Sequence, residues 1–301
     1  ALAGHLDLAP EHIVVGNGSD ELIDLLVRVL ASPGKSEILA CQPCFSMYEL
    51  QSRLCGIPFR QIPLDENFQL PLEGLLQACS QETAMVFLTT PDNPSGRAIT
   101  ARELLDFHAR LPADTVLVVD EAYIDFALPM DEYSPLSAFR ENPEAFDNLV
   151  MLRTFSKCYG LAGLRLGYGI MPAWLSDYLW RVRLPFSVNL LAEEAGIAAL
   201  EDRVFYETTV KVSVEGREFL TRELTSLGCE VAPSQANFLL FTLPKGCALN
   251  AKQVFTKLLE QGIIIRPLAS YGLINSLRLS VGTMDENKAF IAALGSVLKG
   301  E

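Results

Sequence analysis

Four residues occupy positions that chemistry, rather than packing alone, would explain. Lys157 sits in RTFSKCYGLAGLRLGYGI (153–170), between Phe155 and Tyr159 and eight positions before Arg165. Asp120 closes the apolar run TVLVVD, and Asn93 lies in the turn PDNPSG. A lysine among apolar neighbours either reaches solvent along its stem or places its amine out of water. In the second case its pKa falls, and the free amine becomes nucleophilic at neutral pH. Such an amine can hold an aldehyde as a Schiff base. A nearby carboxylate can keep the ring nitrogen of a heterocycle protonated, so that the ring draws electrons from a carbanion. A phosphate on the same molecule would want backbone N–H groups at a helix N-terminus and a bidentate arginine. Lys157, Asp120, the turn GNGSDE (16–21) and Arg165 offer one group for each need. Each also has a plain reading: a snorkelling lysine, an aspartate at a strand end, a polar turn, an arginine in a surface ion pair.

The elements around them predict how these groups could meet. SDELIDLLVRVL (19–30) reads as a helix capped by Ser19 or Asp20 and stopped by SPGK, and SEILAC as a strand. MYELQSRLCG reads as a helix ended by Gly56, and AMVFLTT (84–90) as a strand running into PDNPSG. TARELLDFHARL opens with Thr100 and Glu103 in capping-box spacing. Val116 to Val119 are apolar on both faces, as the interior of a parallel sheet requires. NLVMLRTFSK gives another strand, followed by a loop and RLGYGIM. This alternation predicts an α/β fold, a mostly parallel open sheet with helices on both faces. Ligands of such sheets lie beyond the carboxyl ends of the strands. Asn93, Asp120 and Lys157 each follow a predicted strand end, so they can converge on one small molecule. Past about residue 212 the pattern becomes that of a smaller α+β lobe. The expected division is a large cofactor-binding domain, 1–212, with a long connecting helix within about 185–212, and a small C-terminal domain, 213–301.

Composition narrows the function. A chain of 301 residues favours two lobes, and a formal net charge of −13 argues against nucleic-acid or anionic-membrane partners. The apolar runs fall short of the roughly 18 residues of a membrane span, and ALAGHLDLAP lacks the pattern of a signal peptide. Seven scattered cysteines, an odd number, do not read as a disulfide framework, so a reducing cytoplasm is expected. Cys41 and Cys44 form one C-x-x-C, either a redox pair or two buried thiols. The three histidines (5, 12 and 108) are not suitably spaced for a metal site, and none is expected.

Taken together these motifs resemble the fold-type I pyridoxal-phosphate aminotransferases of class I/II and, more closely, the histidinol-phosphate aminotransferases, over essentially the whole chain. The resemblance implies that Lys157 anchors pyridoxal 5′-phosphate and shuttles a proton, and that Asp120 in VVDEAYIDF pairs with the ring nitrogen. It implies that Asn93 and Tyr123 hydrogen-bond the ring 3-oxygen. Backbone groups of Ser19 and Asp20, with Thr154, Ser156 and Arg165, would hold the phosphate. Phe45 in CQPCF stands where this family usually has a ring-stacking tyrosine, which keeps the stacking and loses a hydroxyl. In IIIRPLASYGLINSLRLSVGT (263–283), Arg278 resembles the arginine that receives a substrate anion, and Arg266 its partner for a phosphate end. Tyr48 and Asn237 either approach the site or serve packing.

The implied reaction moves an amino group from histidinol phosphate to 2-oxoglutarate, giving glutamate, in a homodimer. Threonine-phosphate decarboxylase and aromatic amino acid aminotransferase are alternatives on the same cofactor site. A cofactor-binding sensor without turnover is the non-enzyme alternative. Relatives usually carry an arm ahead of the region where this sequence begins, with a tyrosine that crosses to the partner. A chain limited to these residues is therefore expected to bind cofactor more weakly and to transaminate poorly.

Overall fold

Alternate residues of the central strands enter separate cores. Leu39, Val86, Leu88, Leu117, Val119 and Met151 belong to one apolar cluster, while Ile38, Phe87, Val118, Val150 and Leu152 belong to another. The computed structural model, which describes residues 1–300, thus buries this sheet on both faces. Helices cover each: Gly18–Leu30 and Ser46–Leu54 pack into the second cluster, Leu72–Ala78 and Ala101–His108 into the first. Each fully buried Leu, Val or Ile contributes about 1.5–3 kcal/mol relative to exposure.

The strands of this sheet are β1 (Ile13–Asn17), β2 (Glu37–Gln42), β3 (Phe59–Pro63), β4 (Thr83–Thr89), β5 (Val116–Asp120), β6 (Leu149–Thr154) and β7 (Leu166–Ile170). Their order is β1-β7-β6-β5-β4-β2-β3, and only β7 runs against its neighbours. The chain therefore has the α/β architecture that the alternating pattern predicts. Thr100 and Glu103 do form a reciprocal capping box at the helix Ala101–His108.

A second, antiparallel sheet has the order β10-β11-β9-β8, from β8 (Glu230–Val231), β9 (Phe238–Thr242), β10 (Arg266–Pro267) and β11 (Ser276–Ser280). Helices Ala251–Leu259 and Met284–Lys299 share its core with the C-terminal half of the helix Arg203–Ser226. The connecting segment differs from expectation. It is not one helix over 185–212 but a loop followed by two helices, Leu190–Glu201 and Arg203–Ser226. Asp202 breaks them, because its carboxylate accepts the Phe205 amide and starts the second helix anew. That second helix runs through residue 212 without interruption. Among the described residues no helix is long and apolar enough to cross a membrane.

Candidate active site

Residues at the carboxyl ends of β1, β4, β5 and β6 surround one cavity of about 160 Å³. Ser19, Asp20, Phe45, Asn93, Asp120, Tyr123, Thr154, Ser156, Lys157 and Arg165 all line it. Thr89, Ala122 and Ala162 complete the lining, and no chemical signature in the sequence marks them. Parallel register does much of this positioning: Thr89 lies beside Asp120, as Phe87 lies beside Val118.

The loop after β6 answers the question that Lys157 raises. Thr154 Oγ1 accepts the Ser156 amide at 3.1 Å and turns the chain at the end of the strand. Phe155, Cys158 and Tyr159 are buried and anchor the loop, while Lys157 between them is exposed and lines the cavity. Its amine is therefore not sealed from water, contrary to what its neighbours suggest. Surrounding protein still disfavours the charged form and lowers its pKa, and the Arg278 guanidinium acts in the same direction. Lys157 Nζ sits 5.3 Å from the centroid of the Tyr123 ring.

Asp120 is almost wholly buried. Burial pushes its carboxyl up to about 6, opposed by hydrogen bonds from the Tyr48 hydroxyl (2.7 Å) and the Ala122 amide (3.0 Å). Tyr123 is pushed up to about 12 by burial, so its phenol remains a donor. Asn93 Oδ1 accepts from Arg278 Nη1. A guanidinium only donates, so the amide is oriented with Nδ2 left free as a donor.

At the opposite end of the cavity the helix Gly18–Leu30 begins. Among the described residues no protein acceptor takes the Ser19 and Asp20 amides. Gly18 has φ +73°, and a Cβ there would lie 2.5 Å from Arg165 Nη2, so glycine keeps this corner open. A Cβ on Gly167 would meet the Ser19 nitrogen at 2.3 Å, which explains how closely β7 supports the helix start. Arg165 itself is held in the left-handed region, φ 59°, with its carbonyl accepting the Gly18 amide and Nη2 donating to Asp20 Oδ2 at 3.0 Å. A half-exposed pair of this kind contributes at most about 1 kcal/mol.

This donor set fits pyridoxal phosphate. Free amides at a helix start and a guanidinium suit the phosphate, two neutral donors suit a ring oxygen, and a buried carboxylate suits a ring nitrogen. Phe45 offers an aromatic face at the cavity wall.

The arginines of the small lobe are arranged differently. Arg278, on β11, is half-buried, lies 4.9 Å from the Phe238 ring centroid and donates a hydrogen bond into the site at Asn93. Arg266 pairs with it in register on β10, yet it is exposed and lines a separate cavity with Gln61, Glu49 and Tyr271. Asn237 does not line the cofactor cavity; its carbonyl accepts the Val281 amide. Tyr48 is fully buried in the core, and its hydroxyl bonds Asp120. Burial raises the Cys44 thiol to about 12 and pushes Cys41 well up, so these thiols are protonated and unsuited to redox exchange. Among the described residues no group of three or more His, Cys, Asp or Glu is placed to share a metal ion.

The model of the family "Aminotransferase class I and II" matches residues 1–294, and the chain belongs to that family. It is a pyridoxal-phosphate-dependent aminotransferase. It is 53% identical over 300 residues to a histidinol-phosphate aminotransferase of Oleidesulfovibrio alaskensis, covering all of this chain and 77% of that protein. Among solved structures, a histidinol-phosphate aminotransferase of Sinorhizobium meliloti in complex with pyridoxal-5′-phosphate superposes with a TM-score of 0.89 at 29% identity, over 99% of this chain and 80% of that one. An L-threonine-O-3-phosphate decarboxylase of Porphyromonas gingivalis gives a TM-score of 0.82 at 25% identity, over 99% and 87%. Fold alone does not separate these two activities.

Proposed function

We propose that this chain transaminates histidinol phosphate with 2-oxoglutarate as acceptor, in histidine biosynthesis, through Lys157. The observation that carries the reading is the convergence of Lys157, Asp120, Asn93, Tyr123 and an open helix N-terminus on one cavity. The name of the 53% identical relative supports the choice of amino donor.

When bound, pyridoxal phosphate supplies an electrophilic aldehyde and a protonated ring that takes up the electron pair left as an α-proton departs. The chain's own groups do the rest. Ser19 and Asp20 amides, the Ser156 hydroxyl and Arg165 would hold the phosphate, while Thr154, whose hydroxyl donates to the Leu166 carbonyl and accepts the Ser156 amide, shapes that end of the site. Asp120, as a carboxylate, keeps the proton on the ring nitrogen. Asn93 Nδ2 and the Tyr123 hydroxyl donate to the ring oxygen, and Phe45 packs on the ring. Lys157 Nζ would hold the aldehyde until the donor's amine displaces it, and the freed amine would then take the proton from the donor's α-carbon and return it to the former aldehyde carbon. Arg278 receives the substrate anion, and Arg266, which lines a separate cavity, meets the phosphate end. Two cationic groups suit both histidinol phosphate and the two carboxylates of 2-oxoglutarate.

A homodimer fits the surface: Leu184, Phe186, Leu190, Leu191, Val204 and Phe205 are exposed, Phe186 at 95%. Large apolar side chains left in water on one stretch of chain suit an interaction surface. Seven free cysteines suit a reducing cytoplasm. The test is an assay of glutamate formed from 2-oxoglutarate across a panel of amines, in which histidinol phosphate should be preferred. Carbon dioxide release from threonine phosphate without any keto acid would overturn this reading in favour of the decarboxylase.

A further inference from the structure

Tyr48 does more than fill the core. Its ring stacks on Phe87, with centroids 4.4 Å apart and planes 7° from parallel, and its hydroxyl reaches the polar tip of the same sheet face. The hydroxyl donates to Asp120 Oδ2 at 2.7 Å and lies 2.8 Å from Thr89 Oγ1. A phenol carries one proton, so with that proton on Asp120 the threonine must donate to the tyrosine. The three groups form a one-way chain, Thr89 to Tyr48 to Asp120, in which each hydrogen bond polarises the next. The Ala122 amide holds the other oxygen, Oδ1, at 3.0 Å, so both carboxylate oxygens are fixed from the protein side.

We propose that Tyr48, backed by Thr89, is a positioning residue for Asp120: it sets the carboxylate's orientation and keeps it ionised in buried surroundings, ready for the cofactor's ring nitrogen. The proposal rests on Asp120 being that nitrogen's partner. Because burial favours the protonated acid, a charge-assisted donor is what holds the anion against it.

Tyr48→Phe keeps the stacked ring and removes only the hydroxyl, which separates this role from packing. The experiment measures pyridoxal-phosphate affinity of the apoprotein by absorbance titration across pH, with melting temperature recorded alongside. It compares wild type, Tyr48→Phe, Thr89→Val, Asp120→Asn and the Tyr48→Phe/Asp120→Asn double variant. Tyr48→Phe should weaken binding on the order of tenfold near neutral pH, the worth of one hydrogen bond to a charged group. The pH below which affinity is lost should also move upward. Thr89→Val should move both in the same direction by less, and in the Asp120→Asn background the Tyr48→Phe effect should vanish. The proposal is overturned if Tyr48→Phe lowers only the melting temperature, or acts equally in both Asp120 backgrounds. If Tyr48→Phe does not fold, an unmoved pH midpoint in Thr89→Val overturns it. Wild-type protein that fails to bind the cofactor at all removes the Asp120 reading, and this proposal with it. Wild-type binding with an unmoved variant removes this proposal alone.

Discussion

The cofactor cavity and the small-lobe arginines are built by different means. Around the cavity, side chains hang from the ends of doubly buried strands five to seven residues long, each paired with its neighbour over four or five residues. Arg266 sits on a strand of two residues, exposed, beside a loop, and Arg278 meets the site through Asn93. Asp120 in the first region is fixed by pairing with two parallel neighbours, β4 and β6. In the small lobe Arg278 is held by the five-residue register of β11 with β9, whereas Arg266, exposed on its two-residue strand, is held less and leaves room for a substrate beside it. On the proposed reading, preorganisation serves the chemistry and the exposed Arg266 serves recognition.

Variants can break this contrast. The largest effect belongs to Lys157→Ala, which should reduce glutamate formation by about 10²–10⁴-fold or more, measured in the coupled assay. Asp120→Asn should follow, lowering kcat by about ten- to hundredfold while the melting temperature changes little, since asparagine keeps the shape. Arg278→Ala should raise KM for the amino donor by on the order of tenfold, and exposed Arg266→Ala should raise it less. Equal effects from the two arginines would erase the distinction between them. Gly18→Ala, by crowding Arg165 and straining a positive φ, should weaken cofactor binding by several-fold, seen by titration.

Acidity sharpens the same contrast. Asp120 titrates near 6 without cofactor, and only its anion can hold a protonated ring nitrogen. Cofactor affinity should therefore fall as pH drops through about 6. Apoprotein stability runs the other way: Asp92, Asp120 and Asp125 are each raised to about 6 by burial, from 3.8. Their contribution is fully present below about 3.8 and is lost as pH rises through about 6. Melting curves of apoprotein and holoprotein across pH 4–8 should separate these trends.

Much of this was legible in the residues. Val116 to Val119 announce a strand buried on both faces, and Asp120 continues the parity of Val116 and Val118 toward the face where Tyr48 lies. That alternation was the available signal for Tyr48, though no pattern says which buried hydroxyl lies above which strand end. β1 escaped notice because a five-residue edge strand running into a glycine turn resembles a loop start. The break at Asp202 was hidden by helix formers on both sides, although aspartate is a strong cap. The exposure of Lys157 was not readable, because buried neighbours in a tight loop say nothing about the residue turned the other way. Arg266 could be matched to a motif, but its distance from the cavity depends on how two lobes pack.

The most direct test is a titration of the purified apoprotein with pyridoxal phosphate, followed by visible absorbance, for wild type and Lys157→Ala. A violet-region band that forms in wild type, saturates at one cofactor per chain and is missing in the alanine variant is the predicted result. A colourless wild type, or the same band in both proteins, would contradict the assignment of Lys157.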